Sequence, residues 1–279
     1  MERASLDLAL ASGPLRALQG GPARGAPVLC VPGLSANARS FDVLGAFLAA
    51  RGRRVVALDL RGRGRSPAGV PGSHGWKRHA EDVLEAAAML GFASIDLIGH
   101  SMGAFVSMQA AALEPDRVRR LVQIDGVGPP EPAVVPPILA AVDRLGTVYA
   151  SAKEYCERIR RYGAAVPWED LWEQHYLEDL EQVPGGVQPR TSKPAVVEDA
   201  IYGGTHDARL FWPALRMPTL LLRAARELLP GKGFVVGADL RESFRAAVPS
   251  SRVAEVDANH YGVMAHEETL RAIDDFLSA

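Results

Sequence analysis

The stretch "SIDLIGHSMGAFVSMQAAAL", residues 94–113, constrains the chain more than any other. An apolar run ends in Gly-His-Ser-Met-Gly, and small apolar residues at helical spacing follow. Strand, sharp turn and helix in that order hold Ser101 on the turn with its hydroxyl projecting from the end of a sheet. Such a turn needs small residues two before and two after the serine, and Gly99 and Gly103 stand there. The helix start leaves the Met102 N–H free and presents a positive dipole end, and both favour a developing anion. A glycine-rich phosphate loop is the competing reading. With 27 glycines in 279 residues the pentapeptide alone could also arise by chance. The strand–turn–helix context is what favours a nucleophile.

The rest of the chain repeats that alternation. "LDLALASGPLRALQG" reads as strands broken by Gly and Pro in a hairpin, and "APVLCVPG", "RVVALDL" and "VRRLVQID" read as further strands. Helical patterns separate them at "SFDVLGAFLAARG" and "WKRHAEDVLEAAAMLG". The alternation stops near Gly126 and resumes at "MPTLLLRA", with a helix around 238–249, the strand "SRVAEVD" and a final helix "EETLRAIDDFLS". Strands apolar on both faces and separated by helices predict a mostly parallel sheet covered by helices. The expected organisation is one α/β core from residues 1–129 and 211–279, with a helical insertion over residues 130–210.

Composition excludes several classes. Charged residues are 23% of the chain and the formal net charge is −2, so no basic field exists to attract nucleic acid or an anionic membrane. No apolar run reaches the 18 residues of a membrane span. "MERASLDLALASG" lacks the apolar segment and cleavage site of a signal peptide, and a cytoplasmic protein is expected. The two cysteines, Cys30 and Cys156, read as thiols in a reducing compartment.

A serine hydroxyl needs a base. His74 and His79 precede the serine, His100 lies within the turn, and His175 and His206 lie in or near the insertion. His260, in the loop "ANHYGVM" after the last strand, stands where a base at the sheet's end belongs. His266 reads as a cap of the last helix. The base needs a carboxylate to hold its tautomer. Asp125, at the end of "VRRLVQID", and Glu227, in the loop after "MPTLLLRA", both qualify. A second oxyanion donor is expected at the N–H of Leu34, after the tight Pro32–Gly33 turn, facing the same space as Met102.

In order, "VPGLSANARSF", "VVALDLRGRGRSP", "DLIGHSMGAFVSMQAAALEPDRVRRLVQID", "MPTLLLRA" and "NHYGVM" make the chain resemble the α/β-hydrolase fold enzymes over nearly its full length. The resemblance implies an eight-stranded, mostly parallel sheet flanked by helices, with a helical cap inserted after the sixth strand. It also implies a Ser–acid–His triad, with Ser101 and His260 in their roles and Leu34 and Met102 as oxyanion donors. Two departures stand out. Pro32–Gly33 replaces the usual His-Gly, at little cost because the donor is backbone. The usual Gly-x-x-Asp after the seventh strand is replaced by Ala224 and Glu227, in a loop unlike the common one. Some members, zearalenone-type lactonases among them, place the acid where Asp125 stands, and Asp125 is slightly preferred.

The expected reaction is hydrolysis of a carboxylic ester or lactone of a medium-sized, mostly apolar substrate, without metal or organic cofactor. Trp168, Trp172, His175, Tyr176 and Tyr202 of the insertion, with Gly33 and Tyr261, are the expected substrate contacts. The same triad also suits C–C bond hydrolysis of ring-cleavage products or amide hydrolysis. A non-enzymatic ligand receptor on this fold is the alternative of another class. The expected partner is a small-molecule substrate, and the expected state a monomer or homodimer.

Overall fold

A computed structural model describes residues 4–279 of the chain; Met1–Arg3, where the signal-peptide reading begins, lie outside the described residues. β1 (Ala4–Leu10) and β2 (Gly13–Gly20) form an antiparallel hairpin. β3 (Ala26–Val31), α1 (Asp42–Ala49), β4 (Arg53–Leu58), α2 (Trp76–Met89), β5 (Ile95–His100), α3 (Met102–Leu113) and β6 (Val118–Ile124) then alternate. The interval that follows holds α4 (Val135–Val142), α5 (Ala152–Tyr162), α6 (Asp170–Glu178), β7 (Leu180–Val183), β8 (Gly186–Pro189) and α7 (Lys193–Thr205). β9 (Thr219–Ala224), α8 (Ala238–Ala247), β10 (Ser251–Val256) and α9 (Glu267–Ser278) complete the chain.

Eight strands join in the order β1-β2-β4-β3-β5-β6-β9-β10, and every pairing from β4 to β10 is parallel. The period-two alternation of β3 explains the two layers. Leu29 and Val31 face a core with Ala80 and Val83 of α2, Val106 of α3 and Phe244 of α8. Val28 and Cys30 face the opposite core, with Leu44 and Leu48 of α1 and Ile273 and Phe276 of α9. All six residues of β5 and of β9 are buried, as a strand covered on both faces requires. Two charges are trapped: Asp96 of β5 is matched by Arg119 at 2.5 Å and Arg53 at 3.3 Å, and Arg223 of β9 by Glu255 at 3.2 Å.

The interval between β6 and β9 adds no strand to the main sheet. It differs from an all-helical insertion: the pattern "WEDLWEQHYLEDLEQ" stops being helical at Glu178, and β7 and β8 form a small antiparallel hairpin. Tertiary pairing overrides the amphipathic pattern there. Tyr149 and Val187 exchange both backbone hydrogen bonds at 2.8 Å, and a Cβ on Gly186 would lie 2.0 Å from the Tyr149 carbonyl oxygen. The expected boundary at residue 210 falls inside a 3-10 segment, Ala208–Ala214, whose buried Trp212 donates to the Val127 carbonyl at 2.8 Å. Tyr155, Trp172 and Tyr176 of the interval pack into the same core as α1 and α9. No helix among the described residues is long and apolar enough to cross a membrane.

Candidate active site

Ser101 connects β5 to α3 with φ 55° and ψ −122°. With Asp125, at φ 46°, it is one of the two non-glycine described residues with positive φ. Such backbone costs about 1–3 kcal/mol and persists only where the surroundings over-determine it. Two glycines allow it. A Cβ on Gly99 would lie 2.3 Å from the Gly103 carbonyl oxygen, and one on Gly103 would lie 2.1 Å from that of Val31. The turn is thereby pressed against the end of β3. The Ser101 N–H donates to the Ile124 carbonyl at 3.0 Å, tying the turn to the end of β6. The Gly33–Leu34 loop passes beside it, less closely: a Cβ on Gly33 would be 3.3 Å from the Ser101 Cβ. Arg63 Nε donates to the Leu34 carbonyl at 2.9 Å and fixes the loop. Met102 opens α3, where the first N–H groups have no intrahelical acceptor.

Asp125 and Glu227 part company in the fold. Asp125 Oδ2 lies 2.8 Å from His260 Nδ1, and its Oδ1 accepts from the Ala224 N–H at 3.1 Å. Both partners are buried, Asp125 at 1% exposure and His260 at 5%. A carboxylate on Nδ1 assigns the ring proton there and leaves the Nε2 lone pair for a substrate-side proton. Glu227 instead accepts from the N–H groups of Gly231 at 2.7 Å and Gly233 at 3.2 Å. It clamps its own loop, so the geometry does not place it beside His260.

The His260 loop is held by Asn259, which sequence reasoning passed over. Its Nδ2 donates to the carbonyls of Ala164 at 2.8 Å and Leu228 at 3.2 Å. Its Oδ1 accepts from the N–H groups of Tyr261 at 3.2 Å and Gly262 at 2.9 Å. His266 caps α9, its ring accepting from the Glu268 N–H at 3.3 Å.

Ser101 and His260 open into one cavity of about 630 Å³, which Gly33, Leu34, Trp172, His175, Tyr176 and Tyr261 also line. Trp168 and Tyr202 differ from expectation. Trp168 stacks parallel on Tyr176 at 5.9 Å, outside the lining. Tyr202 packs on His206 at 3.6 Å and Trp76 at 5.5 Å, away from the cavity. Both aromatics found packing partners instead of a pocket. The cavity is also less apolar than expected: Arg144, Arg158, Arg161 and His100 line it beside Pro137, Ile138 and Val142. An arginine inside the apolar run "ILAAVDRLG" was the available sequence signal for Arg144.

Two cavity histidines are held neutral. Burial, with Arg144 adding to it, pushes His175 down to about 3. Burial and then the neighbouring His260 hold His100 well below the ordinary range. The His100 ring lies 4.6 Å from that of His260, and its Nε2 lies 3.0 Å from the His260 carbonyl oxygen.

A strand-end serine on a strained turn, a buried carboxylate–imidazole pair and one shared cavity define a hydrolase-type site. The alpha/beta hydrolase fold family matches residues 26–267, and the chain belongs to that family and is a hydrolase. It is 29% identical over 237 residues to an N-formylmaleamate deformylase of Pseudomonas putida, covering 84% of this chain and 81% of that protein. A 2-(acetamidomethylene)succinate hydrolase of Mesorhizobium japonicum is 27% identical over 248 residues, 88% of this chain and 86% of the relative. A shorter match to a RutD-type protein of Variovorax paradoxus, 39% identical over 111 residues, spans only 41% of that protein. Among solved structures, an E-2-(acetamidomethylene)succinate hydrolase superposes with a TM-score of 0.88 over 100% of both chains, at 24% identity, a likeness of fold.

Proposed function

We propose that this chain is a serine hydrolase that cleaves a carboxylic acyl bond through an acyl-enzyme, with Ser101 as nucleophile, His260 as base and Asp125 as acid. The observation that carries this reading is the buried His260–Asp125 pair at 2.8 Å, whose His260 lines one cavity with Ser101. His260 Nε2 takes the Ser101 proton as the oxygen attacks the substrate carbonyl. Asp125 stabilises the imidazolium that forms. The N–H groups of Leu34 and Met102 receive the tetrahedral oxyanion. The imidazolium then protonates the leaving group, and His260 next activates water to release the acid. Residues 130–210 act as the cap that covers the cavity.

An ester or lactone is the simplest substrate, since its alkoxide leaves readily. Amide hydrolysis by the same residues is the second reading. It is favoured by the names of the two long-matching relatives, one a deformylase of an N-formyl compound, the other a hydrolase of an acetamido compound. The test is a panel of p-nitrophenyl esters of increasing acyl length, δ-valerolactone and N-formyl amides, with Ser101→Ala as control. Turnover that Ser101→Ala removes is the expected result. A Ser101→Ala protein as active as the parent refutes the assignment of the nucleophile, and a parent inert on every member refutes the hydrolytic reading.

A further inference from the structure

Four arginines are buried among the described residues, Arg61, Arg63, Arg144 and Arg223. Three have a carboxylate partner: Arg61 with Asp82 at 2.5 Å, Arg63 with Asp199 at 2.5 Å and Arg223 with Glu255 at 3.2 Å. Arg144, only 8% exposed, has four hydrogen bonds, and all go to neutral oxygens. Nε donates to the Tyr155 hydroxyl at 3.1 Å, Nη1 to Ala141 O at 2.8 Å and Ser35 Oγ at 3.3 Å, and Nη2 to Ser35 O at 3.2 Å. A guanidinium carries five N–H donors, so one remains over, and the bond to Ser35 Oγ is longer than the ordinary range. A buried charge with no carboxylate hydrogen-bonded to it is among the costliest features a fold can keep; the buried Asp179 acts on Arg144 through space but makes no bond to it. This one lines the cavity that Ser101 and His260 line.

The charge around it is one-sided. Arg144, Arg158 and Arg161 line the cavity, and the one acid in the lining, Asp143, is already paired with Lys193 at 3.2 Å. Arg144 also stays protonated. Burial lowers its pKa, but Tyr155, Tyr176 and Asp179 together more than offset that. Its contacts with Ser35 set it one residue from Leu34, the proposed oxyanion donor.

We propose that the cavity takes an acyl compound carrying a free carboxylate and that Arg144 binds that carboxylate beside the Gly33–Leu34 loop. A carboxylate fits better than a phosphate, because Arg144 is the one buried arginine of the lining and balances one negative charge, whereas Arg158 and Arg161 are exposed and screened by water. The assignment deepens the hydrolase reading and rests on it only for the identity of the reacting bond.

Two measurements separate the claims. The first compares p-nitrophenyl hydrogen glutarate with uncharged p-nitrophenyl hexanoate, in the parent, Arg144→Lys and Arg144→Gln. The parent is expected to favour the hemiglutarate at least about tenfold in kcat/KM. Arg144→Gln is expected to lose about 10- to 100-fold on it, chiefly through KM, bringing the ratio of the two substrates near one. Arg144→Lys, which keeps the charge without the fork, falls between. A ratio unchanged in Arg144→Gln marks a purely structural arginine and overturns the proposal, as does a parent that prefers the hexanoate. The second is calorimetric titration of glutarate into Ser101→Ala with and without Arg144→Gln, which needs no turnover. Binding that Arg144→Gln abolishes supports the anchor even if both esters stay intact and the hydrolase reading fails. Equal binding by the two proteins, or none by Ser101→Ala, overturns it.

Discussion

Replacing Asp125 by asparagine tests the proposed site with little disturbance elsewhere. Asparagine has the same shape and tolerates the left-handed backbone, so the φ of 46° is kept. Its amide oxygen can still accept the Ala224 N–H, the bond Oδ1 makes now at 3.1 Å. What changes is the group facing His260 Nδ1. An amide NH₂ at 2.8 Å favours the tautomer with the proton on Nε2, which cannot take a proton from Ser101. The stabilising charge is lost as well. Two unit charges about 4 Å apart at an effective dielectric of about 20 interact by about 4 kcal/mol, close to a thousandfold in rate. With the tautomer added, kcat on a p-nitrophenyl ester should fall by about 10³–10⁴. KM and the melting temperature should change little. Glu227→Gln should stay within about threefold of the parent, because its carboxylate holds only the Gly231 and Gly233 N–H groups. Initial rates of nitrophenol release, with melting curves as the folding control, decide it. An Asp125→Asn protein above a tenth of the parent rate, or a Glu227→Gln protein a thousandfold slower, would refute the reasoning.

Gly103→Ala should destabilise by about 3 kcal/mol, lowering the melting temperature by about 6 °C or more, because the new methyl meets the Val31 and Pro32 carbonyl oxygens at 2.1 and 2.5 Å; a shift below 2 °C in calorimetry would contradict the close approach. Asp179→Asn should stabilise the chain at pH 8 but not at pH 4. Burial raises Asp179 from its ordinary 3.8 to about 7, against the pull of Arg144 and Thr191. The folded state therefore binds that proton more tightly than the unfolded chain. Its stabilising contribution is complete below pH 3.8 and lost as the pH rises through 7. The gain at pH 8 is at most about 4 kcal/mol, and urea melts at both pH values check it; an advantage that shrinks as the pH rises would have the wrong sign.

Local chemistry made part of this architecture readable in advance. The turn around Ser101 needs small neighbours whatever surrounds it, and helix patterns such as that of α2 carry their own period. His260 was singled out by chain order and by its place in the loop after the last strand, with His266 read as a helix cap. The choice between Asp125 and Glu227 was not local. It depends on β9 lying between β6 and β10, on the backbone twist at Asp125 and on two glycine N–H groups that occupy Glu227. The aromatics of the interval were equally opaque, since Tyr176 lining a cavity and Trp168 stacked behind it have the same sequence character. The β7–β8 hairpin was hidden because a partner 38 residues away, Tyr149 for Val187, decides its pairing. Arg144 was visible as an arginine among apolar residues, but only the fold shows that its hydrogen bonds all go to neutral oxygens.

The pairing of His260 with Asp125 spans 135 residues. The turn of Ser101 is built from contacts with β3, β5 and β6, whereas the proposed base follows β10, which pairs with β9 at the far edge of the sheet. Under the proposed assignment, a chain still emerging from the ribosome, or one frayed at its far edge, carries the serine without its base. On that assignment, turnover reports the completed fold rather than the presence of Ser101 alone. A stalled or clipped product is then expected to be silent instead of loosely active.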